Sequence, residues 1–352
     1  MTRRRLLALC AAIFILGLGP LAAAYAAFEE LADDDFESFD DTPLSEPLGY
    51  PAWFKLSFLD LPEDLGEAVA TGKQGLLIYF GQKYCAYCKA LLEVDFGKPD
   101  IVRYTREHFD VLGIDIHGQR DVVNLEGQEM DERQLAVDMG IDFTPTVVFY
   151  NAAGEEALRL SGYYPPYKFR AALEYVADGY YVDETFRQYL ARAGIPLAFE
   201  SGSLNFADFF MPPPHVLDRS AMPARRPMLV IFEQPDCHAC DVLHTGPFLE
   251  PEIRRRLWQM DVEQLSLWRD TPVITPSGER TTARKWAEQL GLFYAPTLIF
   301  FDEHGREILR ADSVIQFYRL RNLLDYILTR AYERYPTFQT WRADQEPARY
   351  RE

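Results

Sequence analysis

Two short runs of continuous apolar residues, Leu76–Phe80 and Met228–Phe232, interrupt the mixed texture of the chain. Runs this short, with no polar relief, predict strands covered on both faces. A second strand is expected near Val111–Ile116 in the first half and, from a weaker pattern, near Val262–Leu267 in the second. Amphipathic helices follow, around Asp131–Met139 and Thr282–Leu290. A hairpin comes next: Thr146–Tyr150 turns at Asn151–Gly154 and returns through Glu155–Leu160, and its counterpart Thr297–Phe301 turns at Asp302–Gly305. Last helices are expected over Tyr167–Val176 and Val314–Tyr332. The order βαβ, then α, then ββα predicts an α/β class fold, a mixed central sheet flanked by helices, built twice.

The two halves match residue by residue. Cys85-Ala86-Tyr87-Cys88 corresponds to Cys237-His238-Ala239-Cys240, and Phe96 and Phe248 follow eleven residues past each first cysteine. After a one-residue gap Gly127, Arg133 and Gly140 correspond to Gly278, Arg284 and Gly291. Thr144-Pro145-Thr146 matches Ala295-Pro296-Thr297, the prolines lying 60 and 59 residues after the leading cysteines. A repeat of this length describes duplicated domains rather than a solenoid.

Each Cys-x-x-Cys follows a buried strand through a short loop and opens a helical segment. At a helix start the unpaired amides and the positive end of the macrodipole stabilise a thiolate, so Cys85 and Cys237 are expected to attack. Cys88 and Cys240, one turn in, are expected to resolve the mixed disulfide. A structural staple is the weaker reading, because a four-residue ring removes little chain entropy. A four-thiolate zinc cage would require the two repeats to dock face to face.

Strand, Cys-x-x-Cys, helix, then a proline just before a strand: in this combination the chain resembles the thioredoxin superfamily twice over. Tyr84-Cys85-Ala86-Tyr87-Cys88-Lys89, Phe143-Thr144-Pro145-Thr146 and Gly162-Tyr163-Tyr164-Pro165-Pro166 resemble the thioredoxin-related periplasmic proteins of sulfur oxidation and cytochrome maturation. The resemblance implies two tandem thioredoxin-like domains that exchange dithiol for disulfide without a cofactor beyond their own cysteines. It implies cis bonds before Pro145 and Pro296, with the backbone of Thr144 and Ala295 offered to an extended substrate. Gly162 matches the family's glycine beside the cysteines, where the second copy has Ser313. The buried acid that thioredoxins carry six residues before the first cysteine is replaced by Tyr79 and Ile231. The tryptophan before the cysteine is replaced by Tyr84 and Asp236. Tyr87 and His238, inside the two motifs, are expected to modulate reactivity. The inner pair Ala86-Tyr87 and the Thr144 before the proline lean toward a disulfide isomerase. The first repeat, which keeps Lys89, Gly162 and Thr144, is expected to do most of the chemistry.

Composition sets the context. The chain holds 36 Lys plus Arg against 54 Asp plus Glu, a formal charge of −18, which argues against nucleic acid as a partner. Arg3-Arg4-Arg5, an apolar run to Leu18 and small residues up to Ala26 predict an export signal over residues 1–26, with an uncleaved membrane anchor as the alternative. Residues 27–51 hold nine acidic residues and no basic one, and are expected to form a flexible spacer. The domains are then expected over 52–190 and 227–342, separated by a proline-rich connector over 191–226 and followed by a tail over 343–352. The expected function is an exported reductase of periplasmic protein disulfides, recharged by a membrane thiol donor. An isomerase or oxidase is the first alternative. A metal-handling or peptide-binding module with a non-catalytic second domain is the other. His215, His244 and His304 are expected at the surface, and a copper site at Cys237, Cys240 and His244 or His238 is a minor alternative.

Overall fold

The computed structural model describes residues 38–193 and 202–345. The expected export signal, the spacer up to residue 37 and most of the tail lie outside the described residues. Helix α1 (Leu61–Ala70) starts at the Asp60 cap, whose carboxylate accepts from Glu63 N at 3.0 Å, and leads into β1 (Gly75–Gly81), buried along its whole length. The first Cys-x-x-Cys opens α2 (Ala86–Ala90), which continues as a turn of π-helix over Leu91–Asp95. Then come α3 (Pro99–His108), β2 (Phe109–Asp115), the small hairpin β3 (Asp121–Val123) and β4 (Glu129–Asp131), and α4 (Glu132–Asp138). Strands β5 (Thr146–Asn151) and β6 (Glu156–Ser161) complete the sheet, followed by α5 (Pro166–Ala177) and α6 (Phe186–Ala193).

The second repeat replays this order from its buried strand onward, with a short strand in place of the opening helix. It contains β7 (His215–Val216), β8 (Met228–Glu233), α7 (His238–Thr245), α8 (Pro251–Leu257) and β9 (Asp261–Ser266). It continues with β10 (Pro272–Ile274), β11 (Arg280–Thr282), α9 (Ala283–Gln289), β12 (Thr297–Phe301) and β13 (Glu307–Ala311). Helices α10 (Phe317–Leu328) and α11 (Phe338–Gln345) close it.

The central sheets have the orders β2-β1-β5-β6 and β13-β12-β8-β9, and in each the buried run pairs parallel to one neighbour and antiparallel to the other. Burial on both faces is why those runs lack polar alternation. Among the described residues no helix is long and apolar enough to cross a membrane.

Two segments depart from expectation. Residues 38–51 are not a free spacer in this structure: Leu44 N and Leu48 N donate to Tyr84 O and Lys83 O, and Asp41 is buried. Negative charge alone predicted solvation, but this stretch finds amide and hydroxyl donors in the folded chain. Within the expected connector, residues 205–219 belong to the second repeat. β7 pairs with β10, and Phe209 packs on Phe248 with ring centroids 5.2 Å apart.

The repeats also share a core. Phe143, from the first, lies in the apolar cluster of the second and meets Phe338 at 5.7 Å. Beside it Asp142 accepts from Phe338 N at 2.8 Å, at the start of α11. Burial pushes its carboxyl up to about 6, against the lowering effect of that amide bond. A carboxyl raised by folding contributes stability at acid pH that fades as pH rises through the folded value. About two pH units at 1.36 kcal/mol each is about 3 kcal/mol at most. Asp142→Asn, which keeps the acceptor oxygen, should therefore gain stability relative to the wild type between about pH 4 and pH 7. Denaturant midpoints at the two ends of that range check this, and a constant difference would contradict it.

Candidate functional site

Each Cys-x-x-Cys is a disulfide, Cys85–Cys88 and Cys237–Cys240. Each leading cysteine is the N-cap of its helix: Cys88 N donates to Cys85 Sγ at 2.9 Å, and Cys240 N to Cys237 Sγ at 3.1 Å. Such a cap places sulfur where the first turn's amides converge, which favours a thiolate after reduction. The peptide bonds before Pro145 and Pro296 are cis. Cys85 Sγ lies 3.6 Å from Thr144 O, and Cys237 Sγ lies 3.6 Å from Ala295 O. The four cysteines and the four pre-proline and proline residues thus gather into two equivalent constellations. Gly162 stands beside the first, its amide donating to Pro145 O at 2.8 Å. Its φ of +105° and a collision between any Cβ and Ser313 Oγ both demand glycine.

Ser313 is the residue that matches Gly162 in the other copy, so the two repeats meet through equivalent loops. Val314 N donates to Tyr163 O at 3.0 Å, and Tyr164 OH donates to Asp312 Oδ1 at 3.0 Å. Six residues past each loop position a cation crosses over. Arg319 Nη2 donates to Thr144 O at 2.7 Å, and Lys168 Nζ donates to Phe293 O at 2.9 Å. The Arg319 guanidinium also lies over the Tyr87 ring, 3.3 Å from its centroid. Burial lowers the Lys168 ammonium to about 8, with nearby Arg187 adding to the effect.

The exchange is unequal in what it leaves open. Cys85 and Cys237 are each 7% exposed, so the sulfurs alone do not distinguish the sites. Around the first, Ala86, Tyr87 and Thr144 are buried, and the Thr144 carbonyl already holds Arg319. Around the second, His238 is exposed and Ala239 and Ala295 are half-exposed. The segment from Ser38 completes the closure of the first site. Asp41 Oδ2 accepts from Tyr87 OH at 2.8 Å and Arg319 N at 2.7 Å, and Asp41 Oδ1 accepts from Tyr318 N at 2.8 Å. Asp41 thereby caps α10, whose own first residues offer no side-chain cap. Gln316 N donates to Tyr87 OH at 2.8 Å, and the Phe39 ring meets Tyr87 edge-on at 5.1 Å. Sequence favoured the first repeat as the working one, but the structure gives it the covered groove.

Sequence reasoning missed Asp41 and Arg319, whose roles arise only from contacts between distant segments. It also placed His244 at the surface. His244 is instead buried, with Nε2 2.9 Å from Glu233 Oε1. His215 is likewise half-buried against Glu263, at 2.8 Å. No group of three or more potential metal ligands occurs among the described residues.

Comparison with known proteins adds a family. The family model described as a thioredoxin-like domain matches residues 61–177 and again 218–328. No curated protein matches the chain. Among solved structures, a thioredoxin-fold protein from Helicobacter pylori is 25% identical, with 40% of this chain and 86% of that one covered and a TM-score of 0.32. A thioredoxin from Thermus thermophilus is 29% identical, over 34% of this chain and 84% of that one, with a TM-score of 0.27. A disulphide isomerase from Xylella fastidiosa is 19% identical, over 38% and 87% respectively, with a TM-score of 0.22.

Proposed function

Starting from a chain that belongs to the thioredoxin-like domain family in two copies, we propose that it is an exported thiol–disulfide oxidoreductase that reduces disulfides of periplasmic proteins. One observation carries the exchange chemistry. In both repeats the leading sulfur caps a helix and faces a carbonyl beside the proline. A substrate disulfide is attacked there by the leading thiolate. The second thiol of the pair then displaces the reduced substrate and closes the disulfide.

The second pair, with Cys237, is the one that meets substrate, because its flanks are open while those of Cys85 are covered by Asp41 and Arg319. Export rests on the Arg3-Arg4-Arg5 start, the following apolar run and the small residues before Ala27. A reductase in that compartment requires an electron supply, for which a membrane thiol donor is the fitting class.

Direction is decided by potential. Equilibration of each pair against glutathione or dithiothreitol, read by mass spectrometry, should place the Cys237 pair near the thioredoxin value of about −270 mV. A value near about −180 mV would favour the isomerase reading, and one near about −120 mV the oxidase reading.

A further inference from the structure

The exchange step leaves one proton unassigned. Cys240 must lose its proton to attack the mixed disulfide at Cys237, yet it is buried one turn into α7, and burial disfavours the thiolate. We propose that His244 accepts that proton and that Glu233 positions it, forming a relay built into the second repeat alone. The inference rests on the exchange reading given above.

The geometry is local. Cys240 and His244 stand at i and i+4 on α7, so they are neighbours on one helix face, with Cβ atoms about 5–6 Å apart. Helical side chains lean toward the N-terminus, which carries the imidazole over the Cys240 turn. Glu233 ends β8, fully buried, four residues before Cys237. Its Oε1 lies 2.9 Å from His244 Nε2, and its Oε2 accepts from Gln264 Nε2 at 2.5 Å. In the proposed relay His244 gives its Nε2–H to Glu233, so that Nδ1 is the nitrogen that takes the Cys240 proton. The Phe210 and Phe248 rings pack against the imidazole, with centroids 5.8 and 5.0 Å away.

Other charges on the packed elements are accounted for. β9 brings neutral Gln264, and its Glu263 is paired with His215. The 205–211 segment brings Asp208, bound to Arg254 of α8. α7 itself carries exposed His238 and exposed Asp241, the latter held by Asn205. The first repeat has no such relay. Gly81 and Leu92 stand at the matching positions, and the Tyr79 hydroxyl occupies the space a side chain at Gly81 would need.

In the proposed step the Cys240 S–H passes its proton to His244 Nδ1. The Cys240 thiolate then attacks Cys237 sulfur, the Cys237–Cys240 bond forms, and the bond from Cys237 to the substrate sulfur breaks. The substrate leaves as a thiolate and takes up a proton, so the protein dithiol has lost two electrons and the substrate disulfide has gained them.

The test uses full-length reduced protein carrying Cys10→Ser, Cys85→Ser and Cys88→Ser, which leaves Cys237 and Cys240 as its thiols, with an aromatic disulfide, dithiobis(nitrobenzoate), as probe. The first thionitrobenzoate released reports attack by Cys237, and the second reports resolution by Cys240. Glu233→Gln and His244→Gln, each in this background, should slow the second release near pH 7, His244→Gln by roughly 10²-fold or more. The loss should shrink steadily as pH rises above about 8.5, the range in which hydroxide begins to ionise thiols without a local base. The first release should be unchanged. Wild-type profiles in both variants, or a loss equal at every pH, would overturn the relay. Should one variant not fold, the other carries the same comparison. A parent protein that forms the mixed disulfide and never resolves it would remove the exchange reading itself, and the relay with it.

Discussion

Cys237→Ser should lower turnover of an external protein disulfide by ~10³-fold or more, the scale of losing a nucleophile, while Cys85→Ser leaves most of it. Both substitutions put a hydroxyl where a sulfur now accepts from the helix amide, so neither should unfold its helix. The expectation follows from what surrounds the sulfurs. An extended substrate needs the carbonyl and amide beside the proline, and at the first site the Thr144 carbonyl is held by Arg319. At the second site Ala295 is half-exposed. Insulin reduction with dithiothreitol as donor reads both variants. Loss with either substitution would mean that electrons pass from one pair to the other. Loss with Cys85→Ser alone would reverse the assignment.

Asp41→Ala should open the covered site. The substitution deletes the acceptor for two amides of α10 and for Tyr87 OH in one step. Loss of a helix cap costs about 0.5–2 kcal/mol, and each buried donor left without a partner about 1–3 kcal/mol. The closed arrangement should therefore lose at least about 1.4 kcal/mol, which is a tenfold rise in the open fraction. In reduced protein, alkylation resolved by mass spectrometry should find Cys85 slower than Cys237 in the wild type. In Asp41→Ala the Cys85 rate should rise roughly tenfold or more, with Cys237 unchanged. An unchanged Cys85 rate would show that the segment carrying Asp41 does not control access. Asp41→Asn, which keeps one acceptor oxygen, should fall between the two.

Much of the fold was legible because its determinants are local or periodic. The buried runs at Leu76 and Met228, the turn residues at Gly154 and Gly305, and the cysteine and proline spacings are properties of single segments. The small hairpin β3–β4 escaped, since strands of three residues carry no usable alternation. Asp41 was unreadable for another reason. It sits in an acidic run that composition alone sends into solvent, and only the cap-deficient start of α10, 277 residues away, makes it structural. Glu233 was hidden by its apolar neighbours, and His244 by the absence of any sequence cue to what lies across from it. A histidine four residues past the second cysteine, opposite a lone acid ending a buried strand, is the signal that would have found the pair.

The crossed cations tie the two repeats to each other mechanically. Arg319 reaches Thr144 O and Lys168 reaches Phe293 O, equivalent donors on acceptors that are not equivalent, since Thr144 corresponds to Ala295 and Phe293 to Asp142. The pseudo-symmetry of the pair is therefore broken at the active sites themselves: Arg319 ends on the carbonyl beside the first disulfide, whereas Lys168 stops two residues short of the matching carbonyl. The same inequality marks what lies around each pair, with Tyr87 held by Asp41 at one and Glu233 bound to His244 at the other.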